Sequence, residues 1–223
     1  MEKTFNRYID HTVLKPTTRL EDVERICMES REFGFAAACI PPLYVKKACE
    51  YLSGSEVKVA TVIGFPFGYH AIESKVAEIV LAIVDGADEL DMVVNLAAIK
   101  NRDWGFIGEE INTVLPIIRS RERVIKVIIE TGVLTDEEII ACCDIYGMAG
   151  VDFVKTSTGY AERGASVHAV KLIRAHLAEP VQIKASGGIK SYAFARELIE
   201  AGASRIGTSS SVQLVKEYQE AVA

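Results

Sequence analysis

The sequence has 223 residues, 49% hydrophobic and 25% charged, enough apolar material for one large core and too little bias for a disordered chain. A formal net charge of −6 argues against general nucleic-acid affinity, which requires clustered Lys and Arg. Five cysteines (Cys27, Cys39, Cys49, Cys142, Cys143) without paired metal spacing, an N-terminus with no apolar signal core and no membrane-length apolar run predict a soluble protein of the reducing cytoplasm.

In chain order, residues 8–12 read as a short strand, followed by an amphipathic helix over 20–33 that stops at Gly34. A small-residue strand over 35–40 is closed by Pro41-Pro42 and followed by a helix over 44–52. The β-branched run 58–65 is a third strand, broken by Gly64, Pro66 and Gly68, and 71–85 has helical apolar spacing up to Gly86. Residues 89–94 form a fourth strand, and 103–121 a helix with Ile107, Ile111, Val114, Leu115 and Ile118 in register and a kink expected at Pro116. Strand 123–129 precedes Thr135-Asp136-Glu137-Glu138, a capping box that opens a helix to about 146. Strands over 153–157, 181–185 and 205–207 alternate with helices over 166–177, 192–201 and 210–222.

Eight strands alternating with eight helices predict an α/β fold, a single-domain (β/α)8 TIM barrel over 1–223. An open doubly wound sheet is the competing architecture. Barrel active sites lie at the carboxyl ends of the strands, which picks out Asp10, Thr12, Cys39, Asp91, Asn95, Lys126, Glu130, Lys155, Lys184 and Ser186.

Alternation along each strand puts Asp91 on one face with Glu89, Val93 and Asn95, and turns Lys155 and Lys184 into the interior on consecutive strands. Two ammonium groups on the order of 5 Å apart repel by roughly 3 kcal/mol, enough to lower one pKa by about two units and yield a nucleophilic neutral amine. Desolvation acts in the same direction. Asp91 shares the interior as a candidate proton relay. Lys126 and Glu130, at i and i+4 of one strand, predict an interior ion pair or network. Asp10 reads either as the cap of the first turn or as the partner of an interior lysine, and Cys39 as a small core residue.

Two late turns, Ser186-Gly187-Gly188-Ile189 and Gly207-Thr208-Ser209-Ser210-Ser211, offer backbone N–H groups and a helix N-terminus to an anion, the place where barrels bind phosphate. The histidines have no HxH or HExxH spacing; His11 and His70 follow strands, whereas His168 and His176 fall on a helix and are expected at the surface.

Taken together, Asp10-His11-Thr12, Glu89-Leu90-Asp91-Met92-Val93, Lys126 through Gly132, Lys155-Thr156-Ser157-Thr158-Gly159 and Lys184-Ala185-Ser186-Gly187-Gly188-Ile189 resemble the deoxyribose-phosphate aldolase family over nearly the whole chain. The resemblance implies a class I aldolase on a (β/α)8 barrel that interconverts 2-deoxy-D-ribose 5-phosphate with acetaldehyde and D-glyceraldehyde 3-phosphate, without a metal or any cofactor beyond a covalent Schiff base. It implies that Lys155 forms that Schiff base, Lys184 perturbs it and assists proton transfer, and Asp91 relays protons through water. Gly187, Gly188, Gly207, Ser209 and Ser210 would hold the phosphate with Gly159 nearby, while Asp10, Thr12 and Thr158 are candidates for the rest of the substrate. Some family members carry a lysine where Tyr160 stands here. A homo-oligomer, most simply a dimer, is expected, with no nucleic-acid or membrane partner. Two other readings are an acid–base isomerase or epimerase working through Asp91, and a non-catalytic phosphosugar-binding protein.

Overall fold

Parallel strand pairing runs once around the molecule and closes on itself. The structure is a computed structural model and describes residues 4–222. Strands β1 (Ile9–Thr12), β2 (Ala37–Ile40), β3 (Lys58–Ile63), β4 (Glu89–Val93), β5 (Val124–Ile128), β6 (Phe153–Lys155), β7 (Gln182–Ser186) and β8 (Arg205–Thr208) pair in sequence order. β8 returns to β1 in the register Ile9 with Ile206 and Asp10 with Gly207, which rules out the open doubly wound sheet. The helices are α1 (Leu20–Phe33), α2 (Val45–Tyr51), α3 (Ile72–Val84), α4 (Leu96–Lys100), α5 (Trp104–Arg119), α6 (Asp136–Ala149), α7 (Val167–His176), α8 (Tyr192–Glu200) and α9 (Ser211–Val222). Among the described residues none of them is long and apolar enough to cross a membrane.

The alternation of each strand divides two kinds of interior. Outward positions such as Leu90 and Met92 on β4, Ile125 and Val127 on β5 and Ile183 on β7 are fully buried against the helices in one continuous core. Burying a side chain of that size stabilises by roughly 1.5–3 kcal/mol. Inward positions of β2 and β3 are small and apolar, with Ala37, Cys39, Ala60 and Val62 forming a separate cluster inside the barrel. Each of the other strands turns at least one charged side chain inward.

Several ends differ from expectation for local reasons. Helix α6 opens on the expected capping box, with Glu138 N donating to Thr135 Oγ1 at 3.3 Å and Thr135 N to Glu138 Oε2 at 2.8 Å. It continues to Ala149, past the expected end at 146, because the left-handed residue that stops it is Gly150 at φ 69°. Pro116 is accommodated within α5. The short α4 escaped the periodicity argument, since five residues are too few to show a period; Asn95 starts it by accepting from Ala98 N at 3.1 Å. Strand β6 ends at Lys155, not at Ser157, and hydroxyls take over the ladder: Ser186 N donates to Thr156 Oγ1 at 3.1 Å, and Ser186 Oγ donates to Ser157 O at 2.6 Å.

Candidate active site

At the centre of the barrel, side chains from six strands form a single ionic cluster. On β4 the alternation turns both Glu89 and Asp91 inward. Lys126 of β5 donates to Asp91 Oδ1 at 2.8 Å and pairs with Glu89 at 2.6 Å. Arg205 of β8 donates to Asp10 Oδ1 at 2.7 Å and Glu89 Oε2 at 2.6 Å, with its guanidinium 5.8 Å from the centre of the Phe153 ring. Above them, Lys155 of β6 and Lys184 of β7 both donate to Asp91 Oδ2, at 2.8 and 2.7 Å, and Lys184 is also ion-paired with Asp10.

The charges in this cluster do not balance. Four cations (Lys126, Lys155, Lys184, Arg205) face three carboxylates (Asp10, Glu89, Asp91), one positive charge in excess. In a desolvated interior such an excess is relieved by releasing a proton. The pKa directions separate the groups by how firmly each holds its proton. Burial pushes the Lys155 ammonium down, Asp91 pulls it back up, Lys184 pushes it down again, and the net shift is downward. Lys184 is equally buried, but Asp10 and Asp91 outweigh its burial and hold its pKa above the ordinary lysine value. Lys126 is raised in the same way, by Asp91 and Glu89. Burial alone would raise the Asp91 carboxyl, yet Lys126, Lys155 and Lys184 together keep it well below the usual range. Both causes expected from the sequence act on Lys155, desolvation being the largest and Lys184 adding to it.

A cavity of about 510 Å³ opens above the cluster. Lys155 is on its wall, whereas Lys126, Lys184 and Asp91 are sealed beneath. The two late turns border it through Gly187, Gly188 and Ser209, and Thr208 Oγ1 ties them together by donating to Ile189 O at 2.7 Å. Lys15 and Lys190 stand on the same wall, and no carboxylate among the described residues does. The one lysine of the cluster whose pKa is lowered thus faces a cavity lined by two further lysines and two glycine turns.

The profile of the DeoC/LacD family aldolases matches residues 4–218. The chain belongs to this family. It is 47% identical over 215 residues to the deoxyribose-phosphate aldolase of Caldanaerobacter subterraneus subsp. tengcongensis, covering 96% of this chain and 93% of that one. With the deoxyribose-phosphate aldolase of Clostridioides difficile it shares 49% over 208 residues, covering 93% and 94%. Among solved structures it matches the tetrameric deoxyribose phosphate aldolase of Aeropyrum pernix with a TM-score of 0.90 at 33% identity, over 97% of this chain and 91% of that one.

In this DeoC/LacD aldolase, the residues singled out in the sequence fall into two layers. Lys155, Thr12, Thr158, Gly159, Gly187, Gly188, Gly207 and Ser209 line the cavity, while Lys184 and Asp91 lie directly below. Two candidates for substrate contact do not reach it. Asp10 is fully buried and engaged by Arg205 and Lys184, which is its reading as the partner of an interior lysine. Ser210 lies off the wall, half-buried, with its N–H donated to Thr208 Oγ1 at 3.0 Å. Gly207 borders the cavity, but its absent side chain has another consequence: a Cβ there would sit 3.0 Å from Lys184 Cε and 3.0 Å from Ser186 Cβ.

Lys126 enters the expected interior network, with Asp91 and Glu89 as its partners and not Glu130. Strand β5 ends at Ile128, Glu130 takes a left-handed backbone at φ 56°, and its carboxylate receives Thr158 N at 3.2 Å and the Thr158 hydroxyl. Burial pushes the Glu130 carboxyl up, against the bonds from Thr158. His11 and His70 do not converge: His11 lies 2.6 Å from Glu29 on α1 and packs edge-on against Phe35, while His70 borders a different cavity. His168 and His176 are at the surface as expected, with His168 3.0 Å from Asp136. Arg205 and Glu89 were missed as members of the cluster, although strand alternation alone would place Arg205 inward, two residues before Gly207. Lys15 and Lys190 sit on loops, where no periodicity tells which way a side chain points.

Proposed function

We propose that this chain reversibly cleaves 2-deoxy-D-ribose 5-phosphate to acetaldehyde and D-glyceraldehyde 3-phosphate through a Schiff base on Lys155, in the breakdown of deoxyribose phosphate. One observation carries the reading: of the three lysines on the carboxylate cluster, Lys155 alone lines the cavity and alone has its pKa lowered.

The neutral Lys155 amine adds to the C1 aldehyde of the open-chain sugar, one proton is taken up from water and one water leaves, giving a protonated imine. A base then takes the C3 hydroxyl proton, the C2–C3 bond breaks, and its electrons flow into the imine to form an enamine as the three-carbon phosphate departs. The proton returns to C2, and water hydrolyses the acetaldehyde imine to regenerate the amine. Asp91 is a weak base while three ammonium groups hold it. Lys155 is neutral as the free amine and again in the enamine, and at those stages Asp91 faces one cation fewer and is more basic, which favours proton movement, through water, between substrate and cluster. Lys184 stays charged and holds Asp91 in place. The phosphate lies against Gly187, Gly188 and Ser209 with Lys15 and Lys190 nearby, and Thr12 and Thr158 take substrate hydroxyls. The imine itself is the electron sink, so the chemistry calls for no bound cofactor. We read the protein as a cytoplasmic homo-oligomer, most simply a dimer, which light scattering measures.

Borohydride reduction with acetaldehyde or deoxyribose phosphate, followed by mass mapping, tests the mechanism. The expected adduct is on Lys155; an active protein in which Lys155 stays unmodified sinks it. An isomerase working through Asp91 would show no trapped adduct at all.

A further inference from the structure

Two consecutive glycines make the turn that follows β7. Gly187 and Gly188 both take the left-handed backbone, at φ 88° and 76°. They have no side chain with which to hold a position by packing, and glycine loses more backbone freedom on ordering than any other residue. A turn that presents N–H groups to an anion at a fixed distance therefore needs support from outside itself.

That support comes from the loop between β6 and α7. Ala165 N is shared between Ser186 O and Gly187 O, at 3.1 Å each. Gly164 lies directly against Gly187: a Cβ on Gly164 would stand 2.2 Å from Gly187 O, 2.5 Å from its carbonyl carbon and 3.0 Å from its Cα. The contact is mutual, since a Cβ on Gly187 would stand 3.1 Å from Gly164 Cα. One residue earlier the same loop is clamped to the turn after β5. Arg163 donates to Gly132 O through Nε at 3.1 Å and through Nη2 at 2.8 Å, and a Cβ on Gly132 would lie 2.1 Å from Arg163 O. Neither Gly132 nor Gly164 has a left-handed backbone, so it is the close approach of the chains that calls for glycine at both positions. Gly187 and Gly188 line the cavity above Lys155, whereas Arg163, Gly164 and Ala165 do not; the loop stands behind the turn.

We propose that Gly164 and Arg163 are positioning residues for the phosphate of the substrate. Gly164 backs the Gly187-Gly188 turn at contact distance, and Arg163 fastens that backing to Gly132. The preference for a phosphorylated over a plain sugar is thereby set by residues that the substrate does not touch. This rests on the placement of the phosphate against that turn proposed above. Hydrogen bonds to phosphate oxygens are short and weaken steeply when stretched or bent. A methyl group on Gly164 pushes the Gly187 peptide toward the cavity or drives the loop back off it, and in either case the N–H groups leave the distance and angle the anion needs. Losing one charge-assisted bond of this kind weakens binding by about tenfold or more. The covalent attachment at Lys155, within the β6 ladder, is left as it is.

The test uses the full chain with 2-deoxyribose 5-phosphate and, in parallel, 2-deoxyribose, both read by release of acetaldehyde. Isothermal titration calorimetry with inorganic phosphate is run alongside and needs no turnover. Gly164→Ala is expected to raise KM for the phosphorylated sugar and Kd for inorganic phosphate by about tenfold or more, with kcat changed by less than about threefold. The kcat/KM ratio of phosphorylated to plain sugar then falls by about tenfold. Arg163→Ala removes an exposed side chain, where substitution spares the core, and is expected to move KM, Kd and that ratio in the same directions by about threefold. It decides the matter alone should circular dichroism show Gly164→Ala to be unfolded. A loss of kcat/KM shared equally by the two sugars, or a phosphate Kd unmoved in the folded variants, overturns the positioning role. An unaltered protein that binds phosphate but gives no Lys155 adduct on borohydride reduction with acetaldehyde overturns the aldolase reading instead, and the phosphate Kd of the variants still tests Gly164 and Arg163.

Discussion

Lys155 and Lys184 are joined through one atom, since both ammonium groups donate to Asp91 Oδ2, at 2.8 and 2.7 Å. A single carboxylate oxygen thereby serves two lysines of opposite tendency. Lys184 has Asp10 as a second partner and keeps its proton, while Lys155 has no second carboxylate in the ion-paired cluster and faces the cavity.

Lys184→Leu follows directly from this sharing. Removing the Lys184 charge takes away one cause of the lowered Lys155 pKa and leaves Asp91 more fully to Lys155, and both changes raise that pKa. The rising limb of the pH–rate profile, and of borohydride trapping, is therefore expected to move to higher pH, with the rate at pH 7 down by up to about tenfold for each pKa unit gained. A trapping profile superimposable on that of the unaltered protein would show that Lys184 does not tune the nucleophile.

How much of this was legible in the sequence follows from which residues obey a period. Lys155, Lys184 and Asp91 sit inside strands, where the two-residue alternation fixes the side they face, and all three were found there. Arg205 obeys the same rule, standing two residues before Gly207 on the eighth strand. Glu130 leaves the face of Lys126 because the strand stops at Ile128, one residue before the apolar run ends, and the backbone then turns left-handed at Glu130. Tyr160, Lys15 and Lys190 lie beyond strand ends, where direction is set by tertiary contacts such as the bond from Tyr160 to Leu14.

Acid should unravel the cluster before the apolar core. Asp10 is pushed up by burial and down more strongly by Arg205, Lys184 and Lys126, and Asp91 likewise ends well below the ordinary range. In the unfolded chain both carboxyls protonate around the usual 3.8, whereas in the folded one they resist to lower pH. Their contribution to stability is fully present above about pH 4 and is lost as the pH falls from there through the folded values. Asp10→Asn is expected to lower the melting temperature at pH 7 and to flatten its fall between about pH 4 and pH 2. Melting curves across that range check this; an undiminished slope in the variant would place the acid-sensitive groups elsewhere.

Gly207→Ala tests the packing of Lys184 without touching a charge. The added methyl would meet Lys184 Cε and Ser186 Cβ at 3.0 Å each, so the lysine must move off Asp91 or the strand must shift. Overpacking of this kind costs about 1–3 kcal/mol. Because the displaced group holds Asp91 in place, turnover is expected to fall by more than the stability loss implies, by about tenfold or more, in protein that is still fully folded at the assay temperature. Circular dichroism and steady-state kinetics on the same preparation measure both quantities. Full activity with a lowered melting temperature would mean that Lys184 tolerates displacement.

Glu130→Gln separates positioning from chemistry at the turn after Lys155. The carboxylate accepts two donors from Thr158, its N–H and its hydroxyl, and Thr158 Oγ1 in turn accepts Tyr160 N. A glutamine of the same size keeps one oxygen for the two Thr158 donors, which already share Oε2, but it loses the charge and sets an amide that only donates where Oε1 receives Thr158 N at 3.3 Å. The loss of about one buried hydrogen bond, roughly 0.5–1.5 kcal/mol, loosens the segment that carries Thr158, Gly159 and Tyr160 along the cavity wall. The expected result is a KM for deoxyribose phosphate raised by about threefold to tenfold, with kcat changed by less than about twofold, since Lys155 and its carboxylate are untouched. The reverse pattern, kcat lost at constant KM, would mean that Glu130 acts on the reacting bonds and not through the turn it holds.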